Sequence, residues 1–245
     1  MLLKIKRYKT PLDVAEAFAA ELKTITDERS VDGEKINIAL SGGSTPKILF
    51  NVLSEQYSEK IYWEKIHFYW GDERCVLPTD EESNYGMTKK YLLDNIEIPK
   101  KNIHRIVGEN QPDKEADRYA REIDNSILTA GNGLPEFDII ILGMGTDGHT
   151  ASIFPDKLEL FKSEKICAVT EHPATGQKRI TITGSVINNS RRVIFMVTGS
   201  EKAGVLKNIF DREKGYKKYP SSHVDPVKGI YEWYLDEKAA MLVKD

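Results

Sequence analysis

An α/β domain with a mostly parallel sheet covered by helices is the fold class that the 245-residue sequence predicts. Strand-like and helix-like segments alternate along the whole chain, the pattern of strands joined by helical crossovers. Residues 137–142 are the most continuous apolar strand of the chain, as expected of one buried on both faces. The length suits a single domain, 1–245, that buries enough apolar surface to stand without disulfides or a structural metal.

Taken in order, residues 2–8 read as a first strand. Thr10 and Pro11 then supply a cap and a first helical residue, and Ala15, Phe18, Ala19, Leu22 and Ile25 repeat at helical spacing as a buried stripe. Residues 36–40 form a short strand that runs into Ser41-Gly42-Gly43-Ser44-Thr45, after which Pro46 opens a helix. A strand over 66–70 ends in Gly71-Asp72-Glu73-Arg74, followed by a long polar loop to Asn84 and a helix over 85–93. Pro112 starts a helix that continues to about Leu128. The strand 137–142 empties into Gly143-Met144-Gly145-Thr146-Asp147-Gly148-His149-Thr150. Further strands are predicted over 166–170, 179–183 and 193–197, with a helix from about Ser200 and a closing strand over 239–243. The polar clusters at 110–113 and 131–135 are only loop-length, so no linker divides the chain.

Composition narrows the function. With 35 basic against 38 acidic residues the formal charge is −3, and the basic residues form no stripe. No electrostatic drive toward nucleic acid or an anionic membrane follows. Cys75 and Cys167 lie far apart, in no CxxC or Cys/His metal spacing, which fits a reducing compartment. Residues 1–8 alternate apolar and basic side chains and lack a signal-peptide core, and no apolar stretch reaches the roughly 18 residues of a membrane span. A cytoplasmic location is expected.

Three strands end in loops dense with glycine and polar residues, and ligands of open α/β sheets bind beyond the carboxyl ends of strands. The first loop, Ser41 to Thr45, offers glycines, hydroxyls and a helix N-terminus, a natural seat for phosphate. A tight turn with a Ser/Thr cap and no ligand explains the same residues equally well. It is not a Walker loop, because Lys47 lacks the required glycine spacing. The second loop carries Asp72, Glu73 and Arg74. A solvated charged turn is the ordinary reading of such a triplet. Its place at a strand end instead lets Arg74 hold a phosphate or carboxylate and Asp72 accept from sugar hydroxyls. In the third, Asp147 and His149 are two residues apart, so the carboxylate can hold one ring nitrogen while the other takes a proton from water. No serine or cysteine occupies a nucleophile elbow, which leaves water as the attacking group. Lys202 and Arg179 are candidate anion anchors, each with a surface cation as its plain alternative. His67, His104, His172 and His223 read as structural, and none stands at a metal-ligand spacing; no metal and no cofactor are expected.

Together these segments resemble the 6-phosphogluconolactonase family, within the broader group that includes glucosamine-6-phosphate deaminases. The matching stretches are Leu40 through Pro46, Gly71 through Arg74, Ser83-Asn84-Tyr85, Gly143 through Pro155, Arg179 through Thr183, and Trp233-Tyr234-Leu235-Asp236 with Ala239-Ala240. The resemblance implies a Rossmann-like three-layer α/β/α sandwich of the NagB/RpiA type and hydrolysis of 6-phospho-D-glucono-1,5-lactone in the oxidative pentose phosphate pathway. It implies His149 as general base with Asp147 as its partner. Arg74, Arg179 and Lys202 become substrate anchors, the loop Ser41, Gly42, Gly43, Ser44, Thr45 meets the phosphate, and Asp72 lines the sugar site. Deaminases typically carry Asp-Glu-Tyr at the second motif and Ile-Ala-Phe-Asn-Glu after the histidine; here Arg74 and Thr150-Ala151-Ser152-Ile153-Phe154 stand instead. The expected partner is a small sugar-phosphate lactone, and the chain is expected to act as a monomer. An amino-sugar-phosphate isomerase-deaminase and a non-catalytic sugar-phosphate sensor are the alternatives.

Overall fold

The computed structural model describes residues 3–30, 34–129 and 131–244. The chain opens with strand β1 (Leu3–Tyr8) and helix α1 (Pro11–Ser30); Leu2, assigned above to this strand, lies outside the described residues. Thr10 caps α1: its hydroxyl accepts from the Asp13 N–H at 3.2 Å, and the Asp13 carboxylate accepts from the Thr10 N–H at 2.8 Å. The apolar stripe of α1 is buried as its spacing predicts, with Ile25 half-buried at the edge. Next come β2 (Ile36–Leu40) and α2 (Ser44–Gln56), which begins two residues before Pro46. β3 (Ile66–Trp70) follows, then β4 (Asp72–Arg74), α3 (Asn84–Tyr91), the short β5 (Ile103–His104) and α4 (Pro112–Ser126). The second half contains β6 (Ile139–Leu142), β7 (Cys167–Glu171), β8 (Lys178–Ile182), α5 (Gly184–Asn188), β9 (Arg192–Val197), α6 (Ala203–Phe210), β10 (Ile230–Asp236) and α7 (Glu237–Ala240).

Seven strands form one parallel sheet in the order β1-β10-β9-β6-β2-β3-β5. Helices flank the sheet, and the fold is a three-layer α/β/α sandwich of the Rossmann-like kind. α1 and α2 pack on each other, while α4 lies against β7 and β8. Every residue of β6 is buried, as its unbroken apolar run requires of a central strand. From β2 the chain moves outward through α2 to β3; it later returns to place β6 on the opposite side of β2. The strand order therefore reverses between β2 and β6, and their carboxyl ends flank a crevice at that switch point.

Two readings are corrected. The segment after β3 is not simply a charged turn: β4 pairs antiparallel with β8, and β8 with β7, in a separate three-stranded sheet. Gly71 joins the two sheets, donating from its N–H to the Leu40 carbonyl and accepting from the Ile182 N–H, both at 2.8 Å. The predicted strand over 239–243 is instead the short helix α7 and a turn, because the Asp236 carboxylate accepts from the Ala239 N–H at 2.8 Å and caps that helix. The strand that closes the chain is β10, inserted between β1 and β9. No helix among the described residues is long and apolar enough to cross a membrane.

Candidate active site

The switch-point crevice is a pocket of about 270 Å³. All nine residues proposed to bind substrate line it, as does His149, while Asp147 stands behind His149.

At one end lies the turn from β2 into α2. Gly43 has φ +105°, a left-handed conformation that only glycine adopts without strain, and an added Cβ would touch nothing. No side chain caps α2, so the simple Ser/Thr-cap account of this loop fails. Its first N–H groups and partial positive charge belong to the pocket. The Thr45 hydroxyl meets that of Thr198, beyond β9, at 2.8 Å and ties the two loops together. Lys202 sits at the cap of α6, after a 3-10 turn (Ser200–Lys202) that begins at Gly199 with φ +98°. Asp236, at the end of β10, holds this turn by accepting from the Gly199 N–H at 3.0 Å. The start of α2 and the Lys202 cap of α6 thus line one end of the crevice, together with Glu201.

The small antiparallel sheet forms the facing wall. Arg74 and Arg179 are directly opposite each other in the β4–β8 register. Neither guanidinium forms an ion pair with a carboxylate among the described residues, and the Nε of each is buried without a partner. Arg179 donates to Gln177 at 3.2 Å and lies with its guanidinium carbon 5.8 Å from the Phe154 ring centre. Burial and then the Arg74 charge depress the pKa of Arg179. Two like charges apposed in this way favour an anion between them. Asp72 is buried and accepts a 2.6 Å hydrogen bond from Ser152. Glu73, although adjacent, does not serve the pocket. Its buried carboxylate accepts from the N–H groups of Arg74, Asn84 and Tyr85 at 2.7–2.8 Å and from the Ser83 hydroxyl at 3.1 Å. It is an anchor for the start of α3, and its burial raises its pKa despite those backbone donors.

The third wall comes from the loop after β6. Nδ1 of His149 is 2.6 Å from the Asp147 carboxylate, which also accepts from the His149 N–H at 3.1 Å. Burial opposes ionisation of Asp147, but the hydrogen bond and charge of His149 prevail and hold its pKa at about 2. With Nδ1 committed, Nε2 is the nitrogen left to exchange a proton. The loop is tight enough that Gly148 adopts φ +79° and the Gly145 N–H bonds back to the His149 carbonyl at 2.9 Å. The His149 ring centre lies 5.0 Å from that of the buried Phe154, which thereby backs both the imidazole and Arg179.

Site residues not singled out from sequence are Asn84, Thr198 and Glu201, with Gly143, Met144, Gly145 and Ala151 of the third loop. Thr198 could have been found by the strand-end rule that selected the other loops, since it directly follows β9. Asn84 belonged to a motif that matched the family but carried no chemistry by itself.

A Rossmann-like α/β enzyme for a small anionic substrate is the class that this fold and pocket define. The chain belongs to the family of glucosamine-6-phosphate isomerases and 6-phosphogluconolactonases, which matches residues 9–233. Within that family it groups with the lactonases. It is 46% identical over 209 residues to the 6-phosphogluconolactonase of Haemophilus influenzae, covering 85% of this chain and 88% of that one. Identity to the 6-phosphogluconolactonase of Treponema pallidum is 44% over 195 residues, 80% of each chain. The solved 6-phosphogluconolactonase from Trypanosoma brucei shares the fold with a TM-score of 0.87 at 26% identity, over 99% of both chains.

Proposed function

We propose that this chain hydrolyses 6-phospho-D-glucono-1,5-lactone to 6-phosphogluconate, the second step of the oxidative pentose phosphate pathway, using water activated by His149. The lactonase relatives support the reaction, and the observation that carries the mechanism is the 2.6 Å contact of Asp147 with His149, which lines the crevice. In this reading the phosphate rests on the N-termini of α2 and α6 beside Lys202. Asp72 accepts from a sugar hydroxyl. Nε2 of His149 removes a proton from water as its oxygen attacks the lactone carbonyl carbon. Arg74, Arg179 and backbone N–H groups of the glycine loops supply donors to the tetrahedral oxyanion. Collapse breaks the bond to the ring oxygen, which takes the proton back from His149 and leaves as the C5 hydroxyl. Binding of the remote phosphate fixes the carbonyl against the base. The chemistry asks for no metal or cofactor, and we place it in a monomer working in the cytoplasm.

The test generates the lactone in situ with glucose-6-phosphate dehydrogenase and reports product with 6-phosphogluconate dehydrogenase, after subtracting spontaneous opening. The wild type should accelerate hydrolysis, and His149→Ala should lower kcat by about 10²- to 10⁴-fold with little change in KM. Wild-type acceleration that survives in His149→Ala would remove the histidine mechanism. No acceleration, with ammonia released from glucosamine 6-phosphate, would favour the deaminase.

A further inference from the structure

Asn84 is buried to 2% exposure, yet it lines the pocket. Its side chain makes contact with three parts of the site. Oδ1 accepts from Nη1 of Arg74 at 2.8 Å, and Nδ2 donates to the Asp72 carbonyl at 2.9 Å. The amide also fills the space beside Gly42: a Cβ built on Gly42 would lie 1.8 Å from Oδ1 and 2.4 Å from Cγ of Asn84. Gly42 does not have the left-handed backbone of Gly43. Its lack of a side chain therefore makes room for Asn84, where the sequence suggested close approach of a ligand. Asn84 is in turn fixed from behind, since its N–H donates to the buried Glu73 carboxylate at 2.8 Å.

We propose that Asn84 is the positioning residue for Arg74. Its carboxamide, wedged against Gly42 and tethered to the β4 backbone, fixes where the Arg74 guanidinium points into the crevice. The Arg74 guanidinium has only one other acceptor among the described contacts, the Glu82 carbonyl in the exposed loop before α3. Without Asn84 that loop alone would restrain the guanidinium, and the repulsion from Arg179 would drive it outward. The inference rests on the proposed hydrolysis for its kinetic readout and on the packing of Gly42 for an independent one.

The experiment is a pair of double-mutant cycles on the full chain. Asn84→Ala should lower kcat/KM on the order of 10- to 100-fold, divided between kcat and KM as Arg74→Ala divides its own loss. In an Arg74→Ala background the same substitution should cost less than about twofold, because residues acting as a unit are not additive. Gly42→Ala displaces the amide from the other side and should cause a comparable loss, but should cost nothing further once Asn84 is alanine. Equal losses from Asn84→Ala with and without Arg74, or a Gly42→Ala loss that persists in Asn84→Ala, would overturn the assignment and leave Asn84 a packing residue. Thermal melting of each variant separates these effects from a failure to fold. The cycles are also read by calorimetric binding of 6-phosphogluconate. If the wild type binds it but turns over no lactone, hydrolysis is lost as the function, and intact coupling in the binding cycle still supports Asn84.

Discussion

At Gly145 an added methyl group would lie 2.1 Å from Nδ1 of His149 and 2.6 Å from the Asp147 carboxylate. Gly145→Ala must therefore push the imidazole off its partner. Steady-state lactone hydrolysis should fall by about 10²-fold, since displacement of a catalytic group by roughly 1 Å has that cost. Gly143→Ala is the control two residues away. Its methyl would meet only the Ser41 hydroxyl, at 3.9 Å, and a loss of more than about threefold there would contradict the local account. At this scale the sequence was informative wherever function depends on near neighbours. Asp147 and His149 stand two residues apart, and their contact could be inferred from that spacing alone. Asn84 could not be read in the same way, because its partners come from the loop after β2 and from β4, and the clash that makes Gly42 a glycine exists only after folding.

Among the elements, the end of β10 has the most influence on the site from outside it. One oxygen of the fully buried Asp236 accepts from the N–H of Gly199 and from the N–H of Ala239, so a single carboxylate sets the Lys202 turn and starts α7. Asp236→Ala leaves both donors unpaired. Urea unfolding should show a loss of roughly 2–3 kcal/mol, with a raised KM as the Lys202 turn loosens. Asp236→Asn keeps an acceptor oxygen and should recover much of both; an Asn variant as impaired as Ala would mean that the charge, not the hydrogen bonds, matters. This element was also where prediction from sequence failed. Residues 239–243 have the short apolar run of a strand, while β10 is interrupted by Glu232. Glu232 can be buried there because Arg192 binds it at 2.5 Å and Lys6 at 3.0 Å, and these partners lie on the two neighbouring strands.

For the whole molecule the ionic contacts set the dependence of stability on pH. Burial works against ionisation of Glu21, Glu115 and Glu122, yet hydrogen bonds and charge from Arg192, Arg118 and His104 leave each below the ordinary carboxylate pKa of 4.5. Asp147 behaves alike and reaches about 2. A carboxylate depressed in the folded state stabilises it fully above the unfolded pKa and loses that contribution as pH falls through the folded value. His67 adds to this at higher pH, because burial and then the neighbouring His104 lower its pKa to about 4 and the unfolded chain takes up a proton there first. Denaturant unfolding should therefore show stability falling from about pH 6.5 downward, and falling further from about 4.5 toward 2 as the carboxylates are protonated. Glu73, raised by burial, acts in the opposite sense and blunts the decline at its start. Stability unchanged at pH 3 would show that these pairs contribute nothing. The parallel architecture was legible at this scale, since strand and helix patterns alternate along the chain. The second sheet was not, because β4 is three residues long and its pairing with β8 is set more than a hundred residues later.

That pairing has one further consequence. By setting Arg74 against Arg179 across two antiparallel strands, the fold puts two cations side by side in the crevice with no carboxylate ion-paired to either among the described residues. On the proposed function an anionic occupant would offset their repulsion, so its binding should raise the stability of the folded chain. A phosphate ester that is never turned over would serve this purpose as well as the substrate, which makes resistance to unfolding a measure of occupancy separate from turnover.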